Sequence, residues 1–291
     1  MASARDIKRR IKSVKSTQQI TKAMKMVSAS KLRKSQTAVT AVRPFMRKID
    51  EMILHVGEAV AHPYLQEKQE VRRVCYLLIG SDRGLCGGFN GNLHRFLDHV
   101  LQETAAAESA PEFAAVVLGR KAMEHCARRG YPVDVEYAAI GDNPDFSQAR
   151  QLSHLLREAF DEQKYDEIYM VYSEFKSALV QRPTIKRLLP IVHPQTDGDA
   201  ENRFAAVDYI FEPDQQTVVE ALLPQYIDIG VYCALQEAKA SEHGARMTAM
   251  NSATDNATEM INKLTLSLNR ARQAAITTEI SEIVGGAAAL S

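Results

Sequence analysis

The chain has no tryptophan, and only 7% of its residues are aromatic, a single one of them (Phe45) within the first 48. An N-terminal arm so poor in rings offers nucleic-acid bases almost nothing to stack on. Cysteine is scarce too. Cys75, Cys86, Cys126 and Cys233 form no C-x-x-C pair and no zinc spacing, which points to reduced, mostly buried thiols in a cytosolic compartment. No apolar run approaches the length of a membrane span. The opening residues MASARDIKRR lack the apolar core of a signal peptide, and their basic pattern continues for dozens of residues instead of stopping at a cleavage site. Proline is missing before Pro44 and again from Gln225 to Val284.

Net charge is absent overall but not locally. Residues 1–48 hold 14 Lys or Arg against one acid, Asp6, a balance of +13. The remainder has 36 − 14 = 22 basic and 36 − 1 = 35 acidic residues, or −13. Such asymmetry marks a partner: the basic arm suits an anionic surface of nucleic acid, lipid or acidic protein.

What the proline-free stretches contain is helix. Over Gln225–Val284 only Gly230 and Gly244 weaken a helix of 60 residues, which would span roughly 90 Å at 1.5 Å per residue. Alternating steps of four and three from Ile229 give Cys233, Gln236, Ala240, His243, Met247, Met250, Thr254, Ala257, Ile261, Leu264, Leu268, Ala271 and Ala275. This is a heptad seam, apolar from Met247 onward. Ile276, Ile280 and Ile283 continue a stripe on a slightly rotated face, and Gly285-Gly286 is the expected stop. At the other end, Ser3-Ala-Arg-Asp6 is a capping-box start. Val39, Val42, Met46, Ile49, Ile53, Val56 and Val60 form a second heptad seam that carries straight through Pro44, and His62-Pro63 closes it. The earlier half of this helix mixes Ile7, Ile11, Val14, Ile20, Met24, Val27 and Leu32 with many Ser and Thr, which implies close helix approach and a small, polar exterior. Two long helices with matching seams predict an antiparallel coiled coil of the termini.

Between them the texture changes. Val74–Ile79, Phe113–Leu118, Tyr131–Ile140 and Glu167–Phe175 are predicted strands. Asn92–Ala107, Arg120–Arg129 and Phe146–Gln163 are predicted helices. The alternation predicts a Rossmann-like α/β domain with a mainly parallel sheet. Segments 178–192 and 206–212 are further extended pieces, and Thr196–Asn202 is an exposed loop. The expected organisation is therefore residues 1–62 as an N-terminal coiled-coil helix, 71–195 as the α/β domain, 196–224 as a connection and 225–291 as a C-terminal coiled-coil helix.

Candidate chemistry is thin. Gly80–Gly91 follows a strand and precedes a helix, where a phosphate loop would sit, but its glycines fit neither G-x-G-x-x-G nor G-x-x-x-x-G-K-[ST]. A tight turn, with Asp82 and Arg83 pairing locally, fits better. Cys86 has no local base to activate it. His243 lies on the seam, where a polar register-setter is the simpler role than a metal ligand. Glu279 and Glu282 lie on an exposed helix face. No catalytic constellation, cofactor site or metal site is expected. Arg246, Asn251, Asp255 and Asn256, with Arg270, Arg272, Gln273, Thr277 and Thr278 nearer the tip, could form a recognition surface offering guanidinium forks to carboxylates.

Several long motifs together are recognisable. Ile20-Thr-Lys-Ala-Met-Lys-Met-Val-Ser-Ala-Ser-Lys31 resembles the N-terminal signature of the gamma subunit of F-type ATP synthases. Ser81-Asp-Arg-Gly-Leu-Cys-Gly-Gly-Phe-Asn90 resembles that family's central loop, and 246–256 with 271–289 resemble its C-terminal signature. The resemblance covers essentially the whole chain. It implies a non-catalytic rotor shaft inside a ring of three alpha and three beta subunits. The α/β domain and an epsilon subunit would grip a membrane ring that carries protons, and the complex would lie on the cytoplasmic face of a bacterial cell membrane. By resemblance Met24, Arg246, Arg272, Gln273 and Thr277 are rotor–stator contacts, and Tyr209 and Glu212 lie at the epsilon and ring interface. No inserted regulatory cysteine pair of the chloroplast kind is present. The alternative is a nucleic-acid-binding protein using the basic helix. A third possibility is a nucleotide-binding enzyme built on the α/β domain.

Overall fold

The computed structural model describes residues 4–56, 60–106, 109–137, 141–191, 212 and 214–290. The elements in order are α1 (Ala4–Val56), a 3-10 turn (Pro63–Leu65), β1 (Arg73–Ile79), α2 (Phe89–Ala105), β2 (Glu112–Leu118), α3 (Arg120–Arg129), β3 (Val133–Tyr137), α4 (Phe146–Asp161), β4 (Glu167–Phe175), β5 (Gln181–Leu189) and α5 (Gln215–Leu290). The chain is α/β, with two long terminal helices and a central, mainly parallel five-stranded sheet. It divides into two compact units, Met1–Ser28 with Arg246–Ser291, and Ala29–Ala245.

In the larger unit the strand order is β3-β2-β1-β4-β5, with the first four parallel and β5 antiparallel to β4. β1 is buried along nearly its whole length because helices cover both faces. Its alternate residues divide cleanly. Val74, Tyr76 and Leu78 meet Leu93, Leu97 and Leu101 of α2 and Ala122 and Cys126 of α3. Cys75, Leu77 and Ile79 belong to the larger core with Leu152 and Leu156 of α4, Ile49 and Ile53 of α1, and Leu223, Ile227 and Leu235 of α5. Two glycines let the ends of β1 and β2 touch. Gly119 has φ +91°, and a β-carbon there would fall 2.7 Å from the Gly80 carbonyl oxygen. A β-carbon on Gly80 would fall 2.7 Å from that of Ala122.

In the smaller unit α1 and α5 run antiparallel. Gln18 Nε2 donates to Thr258 Oγ1 at 2.6 Å, the Thr21 and Thr254 hydroxyls pair at 2.8 Å, and Lys25 Nζ donates to Asn251 Oδ1 at 2.6 Å. Stepping back by fours and threes from Ile53 along α1 gives Ile49, Met46, Val42, Val39, Ser35, Leu32, Ser28, Lys25, Thr21, Gln18, Val14, Ile11, Ile7 and Ala4. Ile7, Thr21, Ser28, Leu32, Ser35, Val39, Ile49 and Ile53 on that line are buried. The heptad is thus unbroken for fifty residues, but its middle is polar. Ile20 and Val27 lie off it and are exposed, as is Met26, so the exterior here is less polar than expected.

Both ends of α5 differ from expectation. It starts at Gln215, because the Asp214 carboxylate caps it by accepting from the Thr217 amide at 2.9 Å and the Thr217 hydroxyl at 2.8 Å. Pro224 is carried inside the helix, where it forfeits one backbone bond while Val219, Leu223 and Ile227 around it are buried. At the far end the helix runs through Gly285-Gly286 to Leu290. Glycine permits a left-handed cap without requiring one, and the alanines that follow favour helix. α5 also holds an 18-residue window of mean hydropathy 1.3, apolar enough by length and composition to cross a membrane, contrary to the reading of the sequence. That window is 44% buried within the chain. Strand β3 ends at Tyr137; 138–140, the loop 196–202 and residues 206–211 lie outside the described residues.

Candidate functional site

The antiparallel register of the smaller unit sets Ala4 level with Ala271, since 21 + 254 = 4 + 271 = 275. Seam positions Ile261, Leu264, Leu268 and Ala271 are half-buried, whereas Ala275, also expected on the seam, is exposed. From Arg272 onward α5 is exposed at every position whose exposure is described. Its last 19 residues, 272–290, would form a single helix of roughly 28 Å. Ile276, Ile280, Ile283 and Val284 are 46–66% exposed there and lie on one face at helical spacing.

The sequence-predicted residues fall differently on this frame. Arg272, Gln273 and Thr277 are exposed on the single-helix end, with the Thr277 hydroxyl donating to the Gln273 carbonyl at 2.9 Å. Met24 is half-buried on α1. Arg246 is buried, with 8% exposure. Glu212 is exposed, and Tyr209 lies outside the described residues. The structure adds Gln18, Thr21 and Lys25 of α1, paired with Thr258, Thr254 and Asn251. The signal for them was the heptad traced backward from Ile53; following only apolar residues leads off the seam to Ile20 and Val27.

Lys12, Lys15 and Lys22 are exposed on α1, so the +13 arm presents its charge to solvent. Other charged groups are internal to the larger unit. Asp98 accepts from His125 at 2.8 Å, Tyr131 at 2.8 Å and Arg129 at 2.7 Å. Burial pushes its carboxyl up, but those three donors outweigh burial and hold it below the usual range. His94 stacks on His125 with ring centres 4.2 Å apart, and its Nε2 has no hydrogen-bond partner. Burial, then the neighbouring His125 and Arg128, lower its pKa to about 4. Glu237 is raised chiefly by burial, against the pull of Lys186 and Arg43.

Asp142, Glu242 and His243 bring possible ligand atoms within 4.8 Å of one another. Lys31 already donates to the Asp142 carboxylate, and Lys239 lies 3.2 Å from that of Glu242. Two ammonium groups balance these carboxylates, so the trio fits a cation poorly. In the glycine loop, the Ser81 hydroxyl is 2.9 Å from Asn90 Oδ1, Asn90 Nδ2 donates to Cys86 Sγ at 3.3 Å, and Asp82 accepts from the Arg120 amide at 3.2 Å. The loop's polar groups are spent on holding the turn and starting α3. Cys86 itself is 2% exposed.

Residues 3–290 match the family described as ATP synthase. The ATP synthase gamma chain of Desulforamulus reducens is 50% identical over 293 residues, covering all of both chains. That of Moorella thermoacetica is likewise 50% identical, with both chains fully covered. Among solved structures, a chain of the Euglena gracilis mitochondrial ATP synthase OSCP/F1/c-ring in rotational state 3 aligns with a TM-score of 0.67 at 22% identity, covering 99% of this chain and 94% of that one. The Euglena gracilis rotor in rotational state 1 gives a TM-score of 0.63 at 20% identity, covering 94% and 98%. At those identities the two structures speak for the fold.

Proposed function

The chain belongs to the ATP synthase gamma chain family, and from that membership we propose that it is the central rotor shaft of such an enzyme. It couples proton flow through a membrane ring to the conformational cycling of catalytic beta subunits. It is a non-catalytic subunit. The observation that carries the shaft role is the paired rod of α1 and α5, beyond which α5 continues as helix and is exposed at every position from Arg272 whose exposure is described. A rod of two hydrogen-bonded helices resists bending and twisting, and a bare tip can be surrounded on every side.

The partners follow from this role: three alpha and three beta subunits around the rod, an epsilon subunit, and the membrane ring. Arg272, Gln273 and Thr277 touch the surrounding subunits, helped by the Ile276–Ile280–Ile283 stripe. Met24 and the exposed lysines of α1 face acidic loops of beta subunits, where like-to-unlike charge steers contact without deep burial. Arg246, buried within the chain, serves coupling indirectly by holding α5. Glu212, with Tyr209, lies at the epsilon and ring interface. In this scheme 1–62 and 225–291 are shaft, 71–195 is the body, and 196–224 is a connection whose last ten residues already belong to α5. An ATP synthase gamma chain is part of the membrane-associated F1 complex; its place here is the cytoplasmic face of a bacterial cell membrane. The relatives described above do not support the nucleic-acid alternative for the basic helix.

Reconstitution with alpha and beta subunits tests this. The expected result is incorporation at one copy per three alpha–beta pairs and stimulated ATP hydrolysis. A chain that elutes alone and leaves hydrolysis unchanged overturns it.

A further inference from the structure

The sheet order β3-β2-β1-β4-β5 reverses direction between β1 and β4. The chain leaves β1 through α2 toward β2 and β3, and returns through α4 to β4 on the other side. In open α/β sheets the crevice outside the carboxyl ends of two such strands is where ligands bind. Here one turn of α5 fills it. The Ser241 hydroxyl donates to the Ser173 carbonyl near the end of β4 at 2.8 Å, and both residues are buried. At Gly244 a β-carbon would already lie 3.3 Å from the Phe175 ring and 3.4 Å from the Ala178 α-carbon. Ala245 packs with Cys86 and Phe89, from the loop after β1 and the first residue of α2. Ser241, Gly244 and Ala245 stand at i, i+3 and i+4 and so share one face of the helix.

We propose that this crevice takes the chain's own helix where other α/β domains take a small molecule, and that Ser241, Gly244 and Ala245 form the seat through which torque passes between the α/β body and the shaft helix. The inference rests on the shaft role proposed above. A helix lying on a smooth apolar face can roll or slide under load. This one is keyed. Small residues bring its backbone against β4 and the following turn, and a buried hydrogen bond ties it to a main-chain carbonyl that cannot rotate away. The three residues are positioning residues, acting through α5 on the distant contacts.

The test is proton pumping per ATP hydrolysed in the reconstituted complex. Gly244→Val forces a branched side chain into Phe175 and Ala178, and Ser241→Ala removes the tie without adding volume. Gly244→Val should lower the pumping-to-hydrolysis ratio at least twofold with subunit composition and hydrolysis retained. Ser241→Ala should lower it less, and Gly244→Ala, whose neighbours need give only a few tenths of an ångström, should fall between Gly244→Val and wild type. If Gly244→Val fails to assemble, Ser241→Ala and Gly244→Ala decide. A wild-type ratio in the assembled variants overturns the seat, while a wild-type chain that neither assembles nor couples overturns the shaft role itself.

Discussion

Thr21 of α1 and Thr254 of α5 share a 2.8 Å hydrogen bond at facing seam positions, where a two-helix rod would ordinarily place apolar side chains. Gln18–Thr258 and Lys25–Asn251 flank the pair one step away on either side. Polar groups on a seam lower stability but make one register unique, because any slip leaves them facing apolar neighbours. The apolar residues displaced from this stretch, Ile20, Met26 and Val27, face outward, where partner subunits would meet them.

Replacing both threonines by valine should change stability by less than about 1 kcal/mol, since removing both partners of a hydrogen bond with retained shape is nearly neutral. Replacing Thr254 alone should also be mild, because the Thr21 hydroxyl still has the Gln18 carbonyl at 3.0 Å. Urea unfolding followed by circular dichroism measures both. A loss above about 2 kcal/mol in either would mean the ladder carries stability as well as register.

Leu264→Ala and Leu268→Ala should each cost about 1–2 kcal/mol, because these side chains are only half-buried. Ile49→Ala, in the core of the larger unit at 2% exposure, should cost about 2–5 kcal/mol. Equal losses in the two units would contradict this difference in burial.

His94 predicts a pH dependence. Its pKa is lowered from 6.5 to about 4 in the fold, so the folded state binds fewer protons than the unfolded one over that range. The stability associated with a neutral His94 is complete above about pH 6.5 and is lost as pH falls toward 4. Glu237 acts oppositely: its raised pKa favours the fold at low pH, and that contribution fades as pH rises through its folded value. His94→Phe keeps a ring against His125 but cannot be protonated. Its melting temperature should fall less than that of wild type between pH 6.5 and 4; parallel curves would remove His94 as the cause.

Ile280→Ser should leave the stability of the isolated chain within about 0.5 kcal/mol, because the side chain is 56% exposed. The same change should weaken assembly with alpha and beta subunits, measured as the concentration needed for half-maximal stimulation of hydrolysis. An unchanged concentration would take the apolar stripe out of the interface.

Much of this fold is legible locally. The parallel strands of the sheet and the presence of a long helix at each end of the chain are written in runs of apolar residues and in their periodicity. The candidate contacts came from motif resemblance, and of these Arg272, Gln273 and Thr277 lie on exposed helix. The misses share a cause. Gly285-Gly286 and Pro224 are breakers by local propensity, yet the helix carries both, because the Asp214 cap and buried neighbours on one side and a run of alanines on the other outweigh about 1 kcal/mol for a glycine and about 3 for a proline. Ile20 and Val27 look like seam residues by hydrophobicity, but the heptad phase is set over fifty residues.

The sequence by itself determined the element types, the long heptads, the charge of the N-terminal arm and the family, because each depends on neighbours a few residues away or on long uninterrupted motifs. Only the tertiary structure decided which seam positions are polar pairs, where α5 loses its partner, and that Ser241, Gly244 and Ala245 occupy the crevice at the β1–β4 switch. The polar pairs and the crevice contacts join distant residues, 68 positions apart in Ser173–Ser241 and 240 in Gln18–Thr258. Short-range periodicity carries no information about which distant backbone a small side chain will admit.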